Sequence, residues 1–333
     1  MVDEADGSRS RSHNRHAERA LALARQATGR RPVAVERITR DSYSHLTYKV
    51  RLPAPPHAVA VQFAKRSPDS VAVSAALLEH LGGELDVPEV LLHLDTADEP
   101  ALVTTWLDGE ALNRVLPHLS PGESAPLAHA VAETAARIWS HGFAVPGRIG
   151  AGLAVTPRPA PFADCIEAQL HDQLFHTPGG RALGPAMQQA LWSRWHEARP
   201  AVSGDVETQT ALVHGDLAAR NLLVRRSSAG EGWTVSVLDW EFAVSGSSLA
   251  DIGHLLRPYD FSPVSYRHHL ESALGALGAL EHDEWRTVAW ALDLTALTGP
   301  LVHGPGHPDN DAVSILINAD TGRHERAQKT SRL

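Results

Sequence analysis

The sequence predicts an α+β fold made of two lobes, the first rich in β-strands and the second mainly helical. Between residues 33 and 106, short segments of β-branched, aromatic or alternating apolar residues succeed one another, as is typical of strands. From residue 107 onward, most segments repeat apolar residues with the spacing of amphipathic helices. Strands that precede helices favour an α+β arrangement over alternating β-α units. The chain has 333 residues, enough to bury a large core and to form two lobes.

The first lobe is predicted over residues 17–106, with residues 1–16 as a polar, disordered tail. Residues 17–28 are rich in alanine and stop before a glycine, as expected of a helix. A second helix is predicted over residues 69–81. The first two predicted strands form a hairpin with a polar loop, residues 39–45, at its tip. The predicted strands are Val33–Ile38, Thr47–Leu52, Ala58–Ala64, Glu89–Leu94 and Ala101–Trp106.

The second lobe is predicted over residues 107–333. The segment 107–110 ends the last strand of the first lobe, and helical periodicity follows it. A short β insertion interrupts the helices, because residues 233–238 alternate and residues 225–232 form an exposed connection before them. The predicted helices are Leu127–His141, Phe162–Leu174, Ala186–Ala198, Ser248–Arg257, Tyr266–Leu280 and Glu284–Leu297.

Composition argues against several classes of function. The formal charge of −9 disfavours a nucleic-acid partner and weakly favours a cationic one. The chain has no charged and then apolar leader and no run of about 18 apolar residues, so neither secretion nor a membrane partner is predicted. The single cysteine, Cys165, fits a reducing compartment, and we expect a cytoplasmic protein. The sequence contains no HExxH pair, no zinc-spaced Cys/His set, and neither a GxxxxGK nor a GxGxxG motif.

Three polar clusters between residues 214 and 241 indicate phosphoryl transfer. His214-Gly215-Asp216 follows an apolar segment, Asn221 comes five positions after Asp216, and Asp239-Trp240-Glu241 closes an alternating strand. Phosphoryl transfer needs one carboxylate to orient the attacking hydroxyl, and an amide oxygen and a second carboxylate to hold Mg²⁺ against the nucleotide phosphates. Asp216, Asn221 and Asp239 are of these chemical types.

Each of these residues also has an ordinary structural explanation. An Asp that follows Gly often belongs to a turn. Asn221 could cap a local turn, and Asp239 could pair with an arginine. The prediction therefore depends on the three residues together and on the pairing of the two strands that carry them.

The segments Leu212–Asn221 and Val237–Glu241 resemble the aminoglycoside phosphotransferase and choline kinase-like family of small-molecule kinases. Residues 246–252 also resemble the family segment that follows its metal-binding Asp. The likeness extends from about Arg37 to Arg257. It implies a protein-kinase-like fold, with ATP or alternatively GTP as the phosphate donor and Mg²⁺ as the metal.

The resemblance also implies roles for individual residues. Asp216 would be the catalytic base, Asn221 and Asp239 would ligate magnesium, and Asp251 would hold the catalytic loop. Residues 104–110 are similar to the hinge between the lobes, which implies that the backbone of Thr105 and Trp106 contacts adenine. The glycine-rich loop of the family is replaced by residues 41–45, where the hydroxyls of Ser42 or Ser44 could still contact phosphate.

The basic residue that the family places near the end of the third strand is missing. Register puts Gln62 at that position and puts Ser74 where the paired Glu is expected. Lys49 and Lys65 are the only lysines of this lobe. We favour Lys65 as the substitute, because it ends the strand and a bulge could turn it toward phosphate. The alternative interpretation of Lys65 is a solvated lysine at a strand end.

Acidic residues of the helical lobe are the candidates for binding a substrate amine, as in the family that the sequence resembles. Most of them fit solvated helix faces, whereas Asp293 lies in an apolar-rich run and is the least expected there. The candidates are Asp260, Glu271, Glu281, Asp283, Glu284 and Asp293.

Together these features predict an ATP- and Mg²⁺-dependent O-phosphotransferase that acts on a hydroxyl of a small molecule. We favour an aminoglycoside-type or other cationic antibiotic as substrate, modified to confer resistance. A metabolic kinase for an amino alcohol or a sugar is one alternative. A nucleotide-binding protein without transfer activity is another, motivated by Gln62 and Ser74. We expect a monomer or homodimer.

Overall fold

The computed structural model describes residues 3–38, 45–64, 68–96, 99–227, 232–259 and 261–302. A five-stranded antiparallel sheet comes first, and a mainly helical part with two smaller sheets follows it. Among the described residues, no helix combines the length and the apolar character that crossing a membrane requires.

Within the residues that the structure describes, the first lobe consists of one sheet and two helices. In chain order its elements are α1 (Asp3–Thr28), β1 (Ala34–Ile38), β2 (His45–Arg51), β3 (Ala58–Ala64), α2 (Pro68–Leu81), β4 (Val90–Leu94) and β5 (Ala101–Thr105). The sheet has the strand order β1-β2-β3-β5-β4, and β1 and β2 form the predicted hairpin. Strands and helices therefore lie close to their predicted positions.

Helix α1 differs from the prediction because it begins at Asp3. Residues 3–16 are therefore helical, whereas the sequence predicts a disordered tail over residues 1–16. The second half of α1 is anchored, since Ala20, Leu23 and Ala24 are buried against the sheet. Extending an existing helix needs no new nucleation, so a polar segment continuous with an anchored helix can itself be helical.

The two faces of the sheet pack against different partners. Val59, Val61 and Phe63 of β3 are buried in the cluster that includes α1. Neighbouring residues of a strand point to opposite faces, so Gln62 lies on the other face. On that face Leu102, which pairs with Gln62 across the sheet, joins the core of the second lobe. Gln62 is thus on the side of the sheet that faces the second lobe.

The second lobe is mainly helical. Its helices are α3 (Leu112–Val115), α4 (Pro121–Ser140), α5 (Phe162–His171), α6 (Pro178–Ala182), α7 (Pro185–Val202), α8 (Asp205–Thr208), α9 (Leu249–Leu256), α10 (Val264–Ala276) and α11 (Trp285–Thr298). Its strands are β6 (Glu110–Ala111), β7 (Gly147–Ile149), β8 (Val155–Pro157), β9 (Ala211–Val213), β10 (Leu222–Arg226), β11 (Trp233–Val237) and β12 (Val244–Gly246). A π-helical turn, Asp172–His176, and short 3₁₀ turns connect some of them.

The strands of this lobe form two antiparallel sheets that carry the predicted clusters. One has the order β11-β10-β6 and the other the order β8-β7-β12-β9. The predicted β insertion is present, because β10 and β11 pair from Leu222–Val237 to Arg226–Trp233. The residues just before β10 and just after β11 therefore lie at neighbouring strand ends.

One hydrophobic core joins the two lobes. Leu77 and Leu81 of α2 belong to the same buried cluster as Val131 of α4 and Ile252 of α9. Next to α2, the carbonyl of Asp86 accepts a hydrogen bond of 3.1 Å from the amide of Val237 at the end of β11. These contacts set the position of the first lobe relative to the strand ends of the second.

Candidate active site

A tight loop after β9 carries Asp216. Gly215, just before it, has a φ of 78°, a conformation that favours glycine. A Cβ at this position would overlap the backbone carbonyl of Phe242, so the space also requires glycine. The backbone therefore turns sharply at Gly215.

Asp251, in α9, fixes this loop through hydrogen bonds to its backbone. The side chain of Asp251 is fully buried, and its carboxylate accepts hydrogen bonds from the amides of His214 (2.8 Å) and Gly215 (2.9 Å) and from the indole N–H of Trp139 (3.0 Å). These are the contacts that the family resemblance implies for Asp251. They place the backbone immediately before Asp216.

The side chain of Asp216 is largely buried, with 14% of its area exposed. The guanidinium of Arg220 donates to both of its oxygens, at 2.9 and 2.7 Å, and the amide nitrogen of Asn221 donates to Oδ2 at 2.9 Å. Burial acts to lower the pKa of Arg220, but the adjacent Asp216, together with Tyr259, leaves that pKa raised. Arg220 is therefore a cation directly beside the predicted base.

Asn221 and Asp239 are brought together by backbone pairing. The amide of Leu238, the residue before Asp239, donates a hydrogen bond of 2.9 Å to the carbonyl of Asn221. The side-chain nitrogen of Asn221 donates to both the backbone and the carboxylate of Asp216, which leaves the amide oxygen as the atom available for a cation. Asn221 therefore contacts Asp216 directly and is paired through its backbone with the residue that precedes Asp239.

Asp239 has features expected of a cation ligand. Its φ is 66°, which is rare for a residue other than glycine and is found mainly where the surroundings enforce it. Its Oδ1 atom is buried and has no hydrogen-bond partner among the described residues. A buried carboxylate oxygen without a donor is stabilised when it binds a cation.

Two residues that the sequence prediction does not include lie beside Asp239. Glu241 follows it by two positions, and His45 starts β2 of the first lobe; one ligand atom from each of these three residues lies within 4.8 Å of the others. The Asp-Trp-Glu pattern is a signal that could have pointed to Glu241. No local signal identifies His45, because its approach depends on how the lobes meet.

Asp293, predicted as the strongest candidate for a substrate amine, is already paired. Its carboxylate receives a two-pronged hydrogen bond from the buried guanidinium of Arg257. Burial acts to lower the pKa of Arg257, but Asp293, together with Tyr259, leaves that pKa raised. Asp293 therefore serves this ion pair in the structure.

The other acidic candidates are at the surface or outside the described residues. Glu271 forms an ion pair with the exposed Arg286, whereas Glu281, Asp283 and Glu284 are exposed. Asp260 lies outside the described residues.

A buried histidine separates Asp216 from the Arg257–Asp293 pair. His254 Nδ1 lies 2.9 Å from the carbonyl of Ala250, and its Nε2 lies 4.0 Å from Asp216 Oδ1. Next to it, a small cavity beside the catalytic loop is lined by Ala219, Tyr259 and Phe261, whose two rings stack.

The predicted hinge residues stand at the end of β5. The amide of Thr105 donates to the carbonyl of Glu89 at 2.9 Å, and the amide of Trp106 donates to the carbonyl of Ala58 at 3.2 Å. Both amide donors are therefore used inside the first lobe, and the predicted adenine contact would have to use other backbone atoms of this segment. Ser42, Ser44 and Lys65, predicted to bind the nucleotide, lie outside the described residues.

Lys49, which the sequence prediction placed second to Lys65, lies against the hinge. Its ammonium group is 4.1 Å from the centre of the Trp106 ring, a cation–π contact. Strand register pairs Lys49 with Ala60 and Thr47 with Gln62, so Lys49 and Gln62 are on the same face of the sheet. Lys49 is thus a described cation on the face that meets the second lobe.

Comparisons with known proteins identify the family of the chain. The model of the phosphotransferase enzyme family (APH) matches residues 35–291. No curated protein sequence matches the chain at a significant level.

Solved structures of similar fold cover nearly the whole chain. The apo form of a thermostable mutant of aminoglycoside phosphotransferase APH(4)-Ia has a TM-score of 0.67 at 15% identity, over 91% of this chain and 99% of the other. The same enzyme in ternary complex with ADP and hygromycin B has a TM-score of 0.65 at 14% identity, over 90% and 97%. The streptomycin–ATP–APH(2'')-IIa complex has a TM-score of 0.55 at 12% identity, over 89% and 94%.

These likenesses show the fold. They confirm the predicted two-lobed, kinase-like α+β architecture and the family resemblance of the catalytic segments. Since the family model covers most of the chain, including every described residue of the candidate site, this protein belongs to the phosphotransferase enzyme family (APH).

Proposed function

We propose that the protein is an ATP- and Mg²⁺-dependent O-phosphotransferase that modifies a hydroxyl of a small molecule. We favour an aminoglycoside-type or other cationic antibiotic as the acceptor, with resistance by modification as the outcome. The observation that carries the proposal is a pair of contacts: Asn221 donates to the Asp216 carboxylate, and the amide of Leu238, the residue before Asp239, donates to the carbonyl of Asn221. Further support comes from structural neighbours crystallised with ADP and hygromycin B or with ATP and streptomycin.

The donor atoms of the site fit magnesium. Mg²⁺ prefers oxygen ligands and retains several waters, so a few protein oxygens suffice. Asn221 offers its amide oxygen, and Asp239 offers an Oδ1 that has no hydrogen-bond donor among the described residues. When bound there, the ion would neutralise charge on the nucleotide phosphates.

Asp216 is the group suited to receive the proton of the acceptor hydroxyl. As that oxygen forms a bond to the γ-phosphorus, the bond from the γ-phosphorus to the bridging oxygen breaks, ADP leaves, and the proton passes to an Asp216 oxygen. Arg220 and Asn221 donate to this carboxylate and so fix its orientation. Arg220 would have to release at least one oxygen before that oxygen could accept a proton.

The acceptor class is supported by charge. The chain carries a formal charge of −9, which favours the approach of a cationic molecule over that of an anionic one. Because Asp293 is paired with Arg257, this preference does not depend on Asp293.

Asp216→Ala tests the catalytic role. With the best acceptor from a panel of aminoglycosides, cyclic peptide antibiotics, choline and sugars, kcat should fall by roughly 10²- to 10⁴-fold, the usual contribution of a general base. Asp172→Ala is the matched control, since Asp172 is exposed on a turn outside the site, and it should leave kcat unchanged. Wild-type kcat in a folded Asp216→Ala protein would contradict the role.

Asp239→Ala tests the metal role. It should abolish the Mg²⁺-dependent part of ATP binding measured by calorimetry, because the second carboxylate at the strand end is lost. ATP binding of equal strength with and without Mg²⁺ in the wild-type protein would count against the assignment.

A nucleotide-binding protein without transfer activity is the second candidate. Gln62 and the buried Ser74 stand where the family has its ion pair. ATP binding with no turnover on any member of the acceptor panel would favour this candidate. A panel response limited to choline or a sugar would instead favour a metabolic kinase.

A further inference from the structure

His45 is a residue of the first lobe that reaches the carboxylates of the second. It is the first residue of β2, and only 3% of its side chain is exposed. Its Nδ1 atom lies 3.6 Å from Asp239 Oδ1 and 3.9 Å from Glu241 Oε2. A nitrogen and two carboxylate oxygens therefore surround one small space.

The other ring nitrogen of His45 has a partner that sets the orientation of the ring. Nε2 lies 3.2 Å from the hydroxyl of Ser70 in α2, and Ser70 is itself buried. With the proton on Nε2 donated to Ser70, the lone pair of Nδ1 points at Asp239 and Glu241. Metal-binding histidines usually have this arrangement, in which the second nitrogen is held by a neighbouring acceptor.

The spacing of the three groups suits a shared ion. Ligand atoms around an octahedral ion with bonds of about 2.1 Å lie roughly 3 Å apart. The distances from Nδ1 to the two carboxylates exceed this by less than an ångström, so a small closure of the lobes would bring His45 to bonding distance of an ion held by these carboxylates.

We propose that His45 Nδ1 is a ligand of the divalent cation held at Asp239, with Glu241 as a further ligand, and that it shifts the metal preference of the site toward first-row transition ions such as Mn²⁺. This inference rests on the proposed metal role of Asp239. Imidazole nitrogen binds transition ions well, whereas Mg²⁺ strongly prefers oxygen. Metal binding would also join β2 of the first lobe to the strand end of the second.

The test measures metal binding directly and needs no substrate. Mn²⁺ affinity is determined from the EPR signal of free Mn²⁺, and Mg²⁺ affinity by competition, in the full-length protein with and without ADP. His45→Ala should weaken Mn²⁺ binding by at least the roughly 10- to 100-fold that loss of a group supporting a ligand costs, and should weaken Mg²⁺ binding by clearly less. His57→Ala, an exposed histidine in the turn before β3, is the matched control and should change neither.

Pulsed EPR separates direct ligation from an indirect effect. Bound Mn²⁺ in the wild-type protein should show modulation from a ligated ¹⁴N nucleus, which ¹⁵N-histidine labelling should alter and His45→Ala should remove. The labelled wild-type protein keeps the test decisive if the variant does not fold. Absence of nitrogen modulation in the wild-type protein, or an unchanged ratio of Mn²⁺ to Mg²⁺ affinity in a folded His45→Ala protein, would overturn the proposal.

Asp239→Asn distinguishes a failure of the His45 proposal from a failure of the proposed metal site at Asp239. If Asp239→Asn loses Mn²⁺ binding while His45→Ala keeps it, only the ligation by His45 is wrong. If Asp239→Asn also keeps wild-type Mn²⁺ binding, the metal site assumed in the proposed function is wrong as well.

Discussion

Replacing Asp251 by alanine should destabilise the protein strongly. Asp251 has no proposed role in the reaction, but it accepts hydrogen bonds from the backbone of the loop that carries Asp216. Its carboxylate is fully buried and accepts three hydrogen bonds, of 2.8, 2.9 and 3.0 Å. Asp251→Ala leaves the amides of His214 and Gly215 and the indole N–H of Trp139 without their acceptor. These donors are held by surrounding structure and cannot all turn to solvent.

The magnitude follows from the number of donors left unsatisfied. A buried polar group that loses its partner costs about 1–3 kcal/mol, and more when the partner was charged. Water entering the space left by the side chain would restore part of this. We therefore expect the free energy of unfolding to fall by roughly 3–5 kcal/mol, the range seen when one member of a buried charged contact is removed.

Urea unfolding followed by tryptophan fluorescence measures this loss. Asp251→Asn keeps the shape and one acceptor oxygen, so it should fall between the wild type and Asp251→Ala. The exposed Asp172→Ala is the matched control and should stay within about 0.5 kcal/mol of the wild type. A loss below about 1 kcal/mol in Asp251→Ala would refute the reasoning, because three buried donors could not then depend on this carboxylate.

Two further predictions concern buried groups of the helical lobe. Asp293→Ala should lower the free energy of unfolding by roughly 3–5 kcal/mol, since it leaves the buried Arg257 cation unpaired. The double variant Asp293→Ala/Arg257→Met should lose less stability in urea unfolding. Equal losses of stability in the single and double variants would contradict the pairing. Burial raises the pKa of Tyr266 above its ordinary value near 10. The neutral phenol is therefore favoured in the folded state, so its contribution to stability is complete below about pH 10 and is lost as the pH rises further. Tyr266→Phe should accordingly weaken the loss of stability above about pH 10. At neutral pH it should leave stability unchanged or raise it by up to ~1 kcal/mol, because the hydroxyl has no hydrogen-bond partner among the described residues. The midpoint of urea unfolding, measured as a function of pH, checks this prediction. A loss of stability above about pH 10 as steep as in the wild type would speak against it. Burial also raises the pKa of Tyr48, which accounts for part of any pH dependence that remains in the variant.

Several features of the site were predictable because they depend on short stretches of chain. Asp216 and Asn221 lie on one loop, five residues apart, and the loop geometry that relates them is local. The position of Asp239 could also be predicted, because the antiparallel hairpin β10–β11 returns the chain to the end of β10 that follows Asn221. The alternation of Val59, Val61 and Phe63 likewise marked the buried face of β3 without knowledge of its partner.

Other features were not predictable, because they depend on which distant segments meet. The negative charge of Asp293 in an apolar run suggested a contact with substrate. In the structure its carboxylate instead pairs with the buried guanidinium of Arg257, which lies 36 positions away in the sequence. The helical state of residues 3–16 also differed from the expectation, because composition does not report that the following residues anchor the helix.

The sequence by itself determined the chemical types at the proposed reaction centre and their spacing along one loop and one hairpin, since this spacing is set by local backbone geometry. The tertiary structure alone decided that His45 of the first lobe faces Asp239, that Lys49 lies on Trp106, and that Asp251 accepts from three donors. The physical reason is that these contacts arise from the packing of the two lobes, from the arrangement of strands within the first lobe, and from the packing of α9 against the loop. Such packing depends on the whole buried core rather than on any short pattern of residues.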